Sequence, residues 1–227
     1  MVRRVVSTTP PLPSGRPKIM RILLDDTETN LNASTISDGL RQAATLAETR
    51  GRMIVEVEVD GIRWSEDDLN TSEGSSRAAA ELKLLSANPA ELVRDTFSQC
   101  ARAVAGLDEL QQDCAKLLQA SRTKEGLDGL LEALAVWGAV QTGLSRGLGL
   151  GVLSAESVAS RGIDLDGAVK ALDGRLRSLR DAMASQDITA LCDCLNYEFP
   201  PVVKTFVALL EALANEAAAE AANTVRA

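Results

Sequence analysis

Four cysteines, three acidic stretches and one glycine run are the residues whose types and spacing could do chemistry. Cys192-Asp193-Cys194 is a C-x-C pair. On a helix, though, neighbours two apart point about 200° apart. Cys100 and Cys114 share a helical face but lie roughly 21 Å apart along the axis. They cannot both sit at the ~2.3 Å of a zinc–sulfur bond. The chain has no histidine to complete a set. All four thiols therefore read as core residues. Leu191, Cys192 and Leu195 mark a buried face, which makes Cys194 the thiol expected to be more exposed and the one position where a reactive thiol would sit.

The lack of histidine also removes the commonest general base and the Ser-His and Cys-His nucleophile pairs. Carboxylates remain. Asp25-Asp26 and Glu66-Asp67-Asp68 could hold a divalent ion through oxygens, against the plainer reading of solvated turn acids. Asp164-Leu165-Asp166-Gly167 opens like a calcium loop, but the twelfth position is Arg175 where a bidentate acid is required, so an aspartate there reads as a helix N-cap. Gly147–Gly151, GLGLG, follows a helix rather than a strand and lacks the Lys-Ser/Thr of a phosphate loop. A close-packed helix connection is expected, with a hinge as the alternative. No catalytic residue, metal ligand or cofactor is assigned.

Two features suit protein docking. Lys170, Arg175, Arg177 and Arg180 make one helix locally basic in an acidic chain. The segment Asn196-Tyr197-Glu198-Phe199-Pro200-Pro201 holds Tyr197, the only tyrosine, and Phe199 beside a helix break. A solvated face and core packing of both rings are the bland alternatives.

The 227 residues carry a net charge of −8. The first 21 hold five of the 24 basic residues (Arg3, Arg4, Arg16, Lys18, Arg21) and no acid, so 19 basic residues face all 32 acids in the remainder, a net of −13. Such a body repels phosphate backbones at long range, and no nucleic-acid role is expected. No apolar run reaches the roughly 18–20 residues of a membrane span, and no signal peptide is visible. A cytoplasmic protein, with no membrane role, is expected. Aromatics are 3%, so the core must be aliphatic and helix packing is favoured.

Residues 1–19 form a basic, proline-rich extension expected to be disordered or PPII-like. Met20 directly precedes the first strand-like run and fits a start of the chain as well as Met1 does. Met20–Asp25 reads as a strand, and Leu31-Asn32 as its hairpin partner. A helix follows, with Ser34 or Thr35 as N-cap, Ile36, Leu40, Ala43, Ala44 and Ala47 as its apolar face, and Gly51 as its stop. Val55–Val59 alternates strictly, and Asp60-Gly61 predicts a type I′ turn into Ile62–Trp64. Polar Ser65–Ser76 leads to a last strand, Glu81–Leu85.

The order of these elements over residues 20–86 resembles the β-grasp arrangement of ubiquitin-like modules. The chain lacks the free Gly-Gly tail of sulfur-carrier and conjugated members, so neither activity is implied.

Asn88-Pro89 predicts a helix start. Val93, Phe97, Cys100, Val104, Leu107, Gln111, Cys114 and Leu118 keep a 4-3 spacing, a seam expected to be buried within the chain rather than in a coiled-coil dimer. Leu127, Leu130, Leu134, Trp137 and Leu144 mark a second helix ending in Gly143–Gly151. Leu165, Val169, Leu172, Leu176, Leu179 and Met183 keep the 4-3 spacing on a third. Asp187 caps a segment, Ile188–Phe199, that Pro200-Pro201 should interrupt by pushing Phe199 out of the α region. Val202–Ala222 is the last helix, with Glu211, Glu216 and Glu220 expected on its surface.

The expected fold is α+β: a small β-grasp-like mixed sheet module (20–86) followed by an antiparallel bundle of four to five helices (87–227). The expected function is that of a non-catalytic protein-interaction protein (adaptor, assembly factor or chaperone) whose partner is another protein, with docking placed at Lys170, Arg175, Arg177, Arg180, Tyr197 and Phe199. A sheet edge could accept a partner strand, and a bundle groove a partner helix. The alternatives are a His-free carboxylate- or metal-dependent enzyme and a structural subunit of a homo-oligomer.

Overall fold

The computed structural model describes residues 20–71, 76–153, 158–159 and 162–224. The expected N-terminal extension, residues 1–19, lies outside them. The chain divides into two compact units that meet between Ala87 and Asn88. It is mixed α+β, with the sheet first and the helices after it.

The first unit is a five-stranded sheet in the order β2-β1-β5-β3-β4. The strands are β1 (Arg21–Leu24), β2 (Thr27–Glu28), β3 (Met53–Val59), β4 (Ile62–Trp64) and β5 (Glu81–Ala87). β1 runs parallel to β5, and the other pairings are antiparallel. Strict alternation puts Ile22, Leu24, Val57, Val59, Leu82 and Leu84 on one buried face. Helix α1 (Ile36–Glu48) covers that face with Ile36, Gly39, Ala43 and Ala47. Gly39 lets the backbone in close, since a methyl there would lie 2.6 Å from Met20 Cε. Thr35 is the N-cap, accepting from the Asp38 N–H at 3.2 Å.

Two local expectations change. The hairpin partner of β1 is Thr27–Glu28, not Leu31-Asn32, because Asp25 and Asp26 both take positive φ (51° and 60°) and turn the chain in two residues. Within the polar stretch 65–76 lies a short helix, α2 (Glu66–Asn70), closed by a reciprocal Ser65–Asp68 capping box. The Asp60-Gly61 turn has the expected positive φ at both positions.

The second unit is helical. α3 (Pro89–Ala105) begins at Asn88, whose side chain accepts from the Ala90 N–H at 2.9 Å. α4 (Leu107–Gln119) continues it after one residue, Gly106. Every residue of the predicted seam is buried in the chain's own core except Cys100, which is half-buried. α5 (Thr123–Gly149) runs back along both helices. Its direction follows from four contacts. Methyl groups on Gly126, Gly129, Gly143 and Gly147 would meet Leu118, Cys114, Cys100 and Phe97 in that order. The GLGLG run is therefore mostly helix, and Gly147 is a seat for the Phe97 ring.

α6 (Leu165–Ala184) and α7 (Ile188–Asp193) start on Asp164 and Asp187, each accepting a backbone N–H. α8 (Phe199–Thr224) packs chiefly against α3, and also against the π turn, α6 and α4. Trp137 of α5 meets Phe206 edge-on at 5.2 Å and Phe199 at 6.4 Å. Because α8 is enclosed on several sides, Glu216, expected on the surface, is buried at 7% exposure, and Glu220 is half-buried.

Pro200-Pro201 does not break the helix. Phe199 keeps αR angles (φ −74°, ψ −37°), and its N–H bonds to the Cys194 carbonyl five residues back. The preceding residues widen instead into one π turn, Cys194–Glu198. The cause is covalent. The Asn196 carbonyl faces a proline, with no N–H, both four and five residues ahead. A wider turn relieves the clash that a proline ring makes with the carbonyl of residue i−4.

The glycine face of α5 predicts two opposite effects. Gly147→Ala would place a methyl 2.6 Å from the fully buried Phe97 ring and should cost about 1 kcal/mol or more, overpacking exceeding the gain in helix propensity. Gly138 has open space at its Cβ, so Gly138→Ala should gain about 0.5–1 kcal/mol. Urea unfolding of the full chain measures both. Shifts of the same sign would rule out the close-approach account.

Candidate functional site

The predicted docking residues separate into three environments. Phe199 is core, 1% exposed against Trp137, so its assignment to a docking surface is corrected. The reason is the continuous helix through Pro200, which turns Phe199 inward. Tyr197, two residues earlier on the π turn, is 73% exposed. Lys170, Arg177 and Arg180 are exposed on α6, with Arg177 paired to Asp173 (2.6 Å) and Arg180 to Asp181 (2.8 Å). Exposed pairs of this kind contribute little to stability.

Arg175 and Tyr197 come together. They line an open cleft of about 360 Å³ with Ala168 and Ala171 of α6, Glu198 of the π turn, and Pro201, Val202 and Thr205 of α8. The walls are mostly small and apolar. Charge enters at one place, where Arg175 Nη1 donates to Glu198 Oε2 at 2.5 Å across 23 residues of sequence. The π turn makes this possible by setting Tyr197 outward while Glu198 faces α6. Such turns recur at functional sites. Sequence reasoning singled out Arg175 and Tyr197 separately. Glu198 belongs to the Asn196–Pro201 segment singled out with Tyr197, whereas the alanines were missed, and only the pairing of two segments 23 residues apart brings these groups together.

The thiols are not placed for chemistry. Cys100 and Cys114 face glycines of α5, and Cys192 Sγ approaches the Ala115 carbonyl at 3.6 Å. Cys194, expected to be the exposed one, is buried. The segment α7–π turn packs against α4, α6 and α8 together, so residues two apart both find cover. Burial pushes the Cys194 thiol up to about 11, and the neighbouring Glu198 carboxylate adds to the rise while Arg175 opposes it. A thiolate at that position is disfavoured at neutral pH.

Asp25 is a structural group rather than a solvated acid. Its carboxylate accepts from the Ser86 N–H and hydroxyl, both at 2.7 Å. Arg52 donates to the Ser86 carbonyl at 2.6 Å and to its Oγ at 2.7 Å. Partial burial by itself would raise the Asp25 carboxyl. The two Ser86 hydrogen bonds, then the charges of Arg52 and Arg50, outweigh it and hold the group below its ordinary 3.8. Asp26 pairs with Lys83 at 2.8 Å. Cross-strand pairs Arg63–Glu56 and Arg21–Glu81 continue along the open face of the sheet. Both sheet edges are short, two residues in β2 and three in β4, which gives a partner strand little to add to.

No helix among the described residues is long and apolar enough to cross a membrane. No family model, curated protein or solved structure matches this chain significantly.

Two predictions follow from this placement of groups. Tyr197→Ala should leave stability within about 0.5 kcal/mol of wild type, whereas Phe199→Ala should cost about 3–5 kcal/mol; thermal and urea unfolding compare them. Asp25→Asn, which keeps a residue tolerant of positive φ, should destabilise at neutral pH by about 1–3 kcal/mol. A folded value below 3.8 means that this stabilisation is present above pH 3.8 and fades as pH falls further. The two proteins should therefore converge in the acid limb, as read by exchange of the Ser86 amide and by unfolding. A constant difference down to the lowest pH would contradict the assignment.

Proposed function

We propose that this chain is a non-catalytic protein-interaction protein, an adaptor or assembly factor, whose helical unit docks a partner segment in the cleft between α6, the π turn and the start of α8. The observation that carries this reading is Tyr197, a large ring 73% exposed at the rim of a cleft with small apolar walls. Tyrosine supplies contact area at low conformational cost, and such rings are enriched where partners bind. Ala168, Ala171 and Val202 leave room for a partner's aliphatic side chain. Arg175 and Glu198 at the margin offer a guanidinium and a carboxylate to its backbone or polar groups. Partner identity lies with whatever segment fills the floor and stacks on Tyr197.

The test is quantitative affinity purification from the native host with wild type, Tyr197→Ala and Arg175→Ala, all checked for unchanged unfolding. A near-stoichiometric protein held by wild type and lost from both variants is the expected result. An identical set of proteins on all three would remove the cleft from consideration, and recovery of the tagged chain alone after in-cell crosslinking would remove the interaction reading.

A further inference from the structure

α6 carries an apolar stripe that the described residues of its own unit cover only in part, with Leu176 resting against the core and Val169 and Met183 exposed on either side of it. Of the six residues on its 4-3 pattern, only Leu172 and Leu179 are buried. Val169 and Met183 are 41% and 39% exposed, and Leu176 between them is half-buried. Seven residues separate each from the next, so the three fall on one line, roughly 21 Å long from Val169 to Met183. The cleft of Ala168, Ala171 and Arg175 lies along the other margin of the buried stripe, so this surface does not depend on the cleft.

The charges beside the stripe say what fits it. Asp173 and Arg180 follow Val169 and Leu176 by four residues each and flank the line on the same side. A two-fold axis through Leu176 lays a second copy of α6 antiparallel on the first. Val169 then faces Met183 of the other copy, and Leu176 faces itself. Positions on the same flank meet across an antiparallel helix pair. Asp173, three residues before the axis, therefore meets Arg180 of the other copy, four residues after it, and the contact occurs twice. A parallel arrangement would instead put positions of the same flank on opposite sides of the seam, so Asp173 and Arg180 would not meet across it. Among the described residues these two groups pair with exposed neighbours, Arg177 and Asp181, contacts that are cheap to exchange.

We infer that the occupant of this face is a second copy of the chain, and that α6 is the seam of an antiparallel, isologous homodimer. A seam of about four turns is smaller than a standard interface, so the dimer is weak and concentration-dependent.

Sedimentation velocity of the full chain from about 1 to about 300 µM tests this. Wild type should pass from monomer towards dimer across the range. Arg180→Asp sets two carboxylates against each other twice across the seam and should raise Kd about tenfold or more. Asp173→Arg should do the same with two guanidiniums. The double variant Asp173→Arg/Arg180→Asp restores opposite charges and should recover dimerisation. All four positions altered lie on exposed side chains, and circular dichroism melts check that each variant is folded. Val169→Glu/Met183→Glu should abolish the dimer. A wild-type monomer throughout, a dimer indifferent to these changes, or a double variant no better than the singles would each overturn the inference.

Discussion

How near α5 can come to α3 and α4 decides the layout of the helical unit. Four glycines on one face of α5 remove the side chains that would hold the helices apart, and Leu118, Cys114, Cys100 and Phe97 occupy the space. An ordinary amphipathic helix would keep its neighbours at the 8–10 Å typical of interlocking side chains. Here backbone approaches side chain directly over most of a 27-residue helix. The order of the contacts also fixes direction, so the antiparallel course of α5 is a consequence of which residue fits which glycine. Trp137 then reaches past this layer to Phe199 and Phe206, tying α8 to the same core.

Local chemistry was the legible part of the sequence. Thr35, Asn88, Asp164 and Asp187 cap helices as their residue types require, and Asp60-Gly61 turns as such pairs do. Each depends on a few consecutive residues. The seam from Val93 to Leu118 was legible for the same reason: periodicity needs no knowledge of the partner. What escaped was decided by elements far apart in sequence. Phe199 was expected to leave the helix because the residue before a proline avoids αR, yet packing against Trp137 outweighs that preference and the cost appears upstream as a π turn. Glu216 looked like a surface residue on an alanine-rich end, but α8 is enclosed.

The candidate site divides in the same way. Arg175 and Tyr197 were visible as a charge in an acidic chain and as a solitary ring. That they share one cleft, and that Glu198 joins them, depends on α6 and the π turn lying side by side. The six 4-3 positions of α6 show the limit of pattern reading most clearly. Spacing reports that a stripe is apolar, but only the neighbours determine whether it is covered, and α6 has few. The cysteines illustrate the converse: a C-x-C pair whose two members should point apart is buried at both positions because the segment has neighbours on several sides.

The central place of α8 has a consequence for how the chain is made. The sheet unit completes its pairing once Ala87 has been synthesised, since β5 is the strand that joins β1 to β3. The helical unit enjoys no such stepwise closure. α3, its first helix, packs most extensively against α8, its last, so roughly a hundred residues must leave the ribosome before the two can meet. Until then the buried faces of α3, α4 and α5 have only one another, and the pocket that Phe199 and Phe206 fill beside Trp137 stands open. The second unit thus depends on a pairing of high sequence separation, whereas the sheet unit closes on shorter-range ones, and contacts of the first kind are the slower to form.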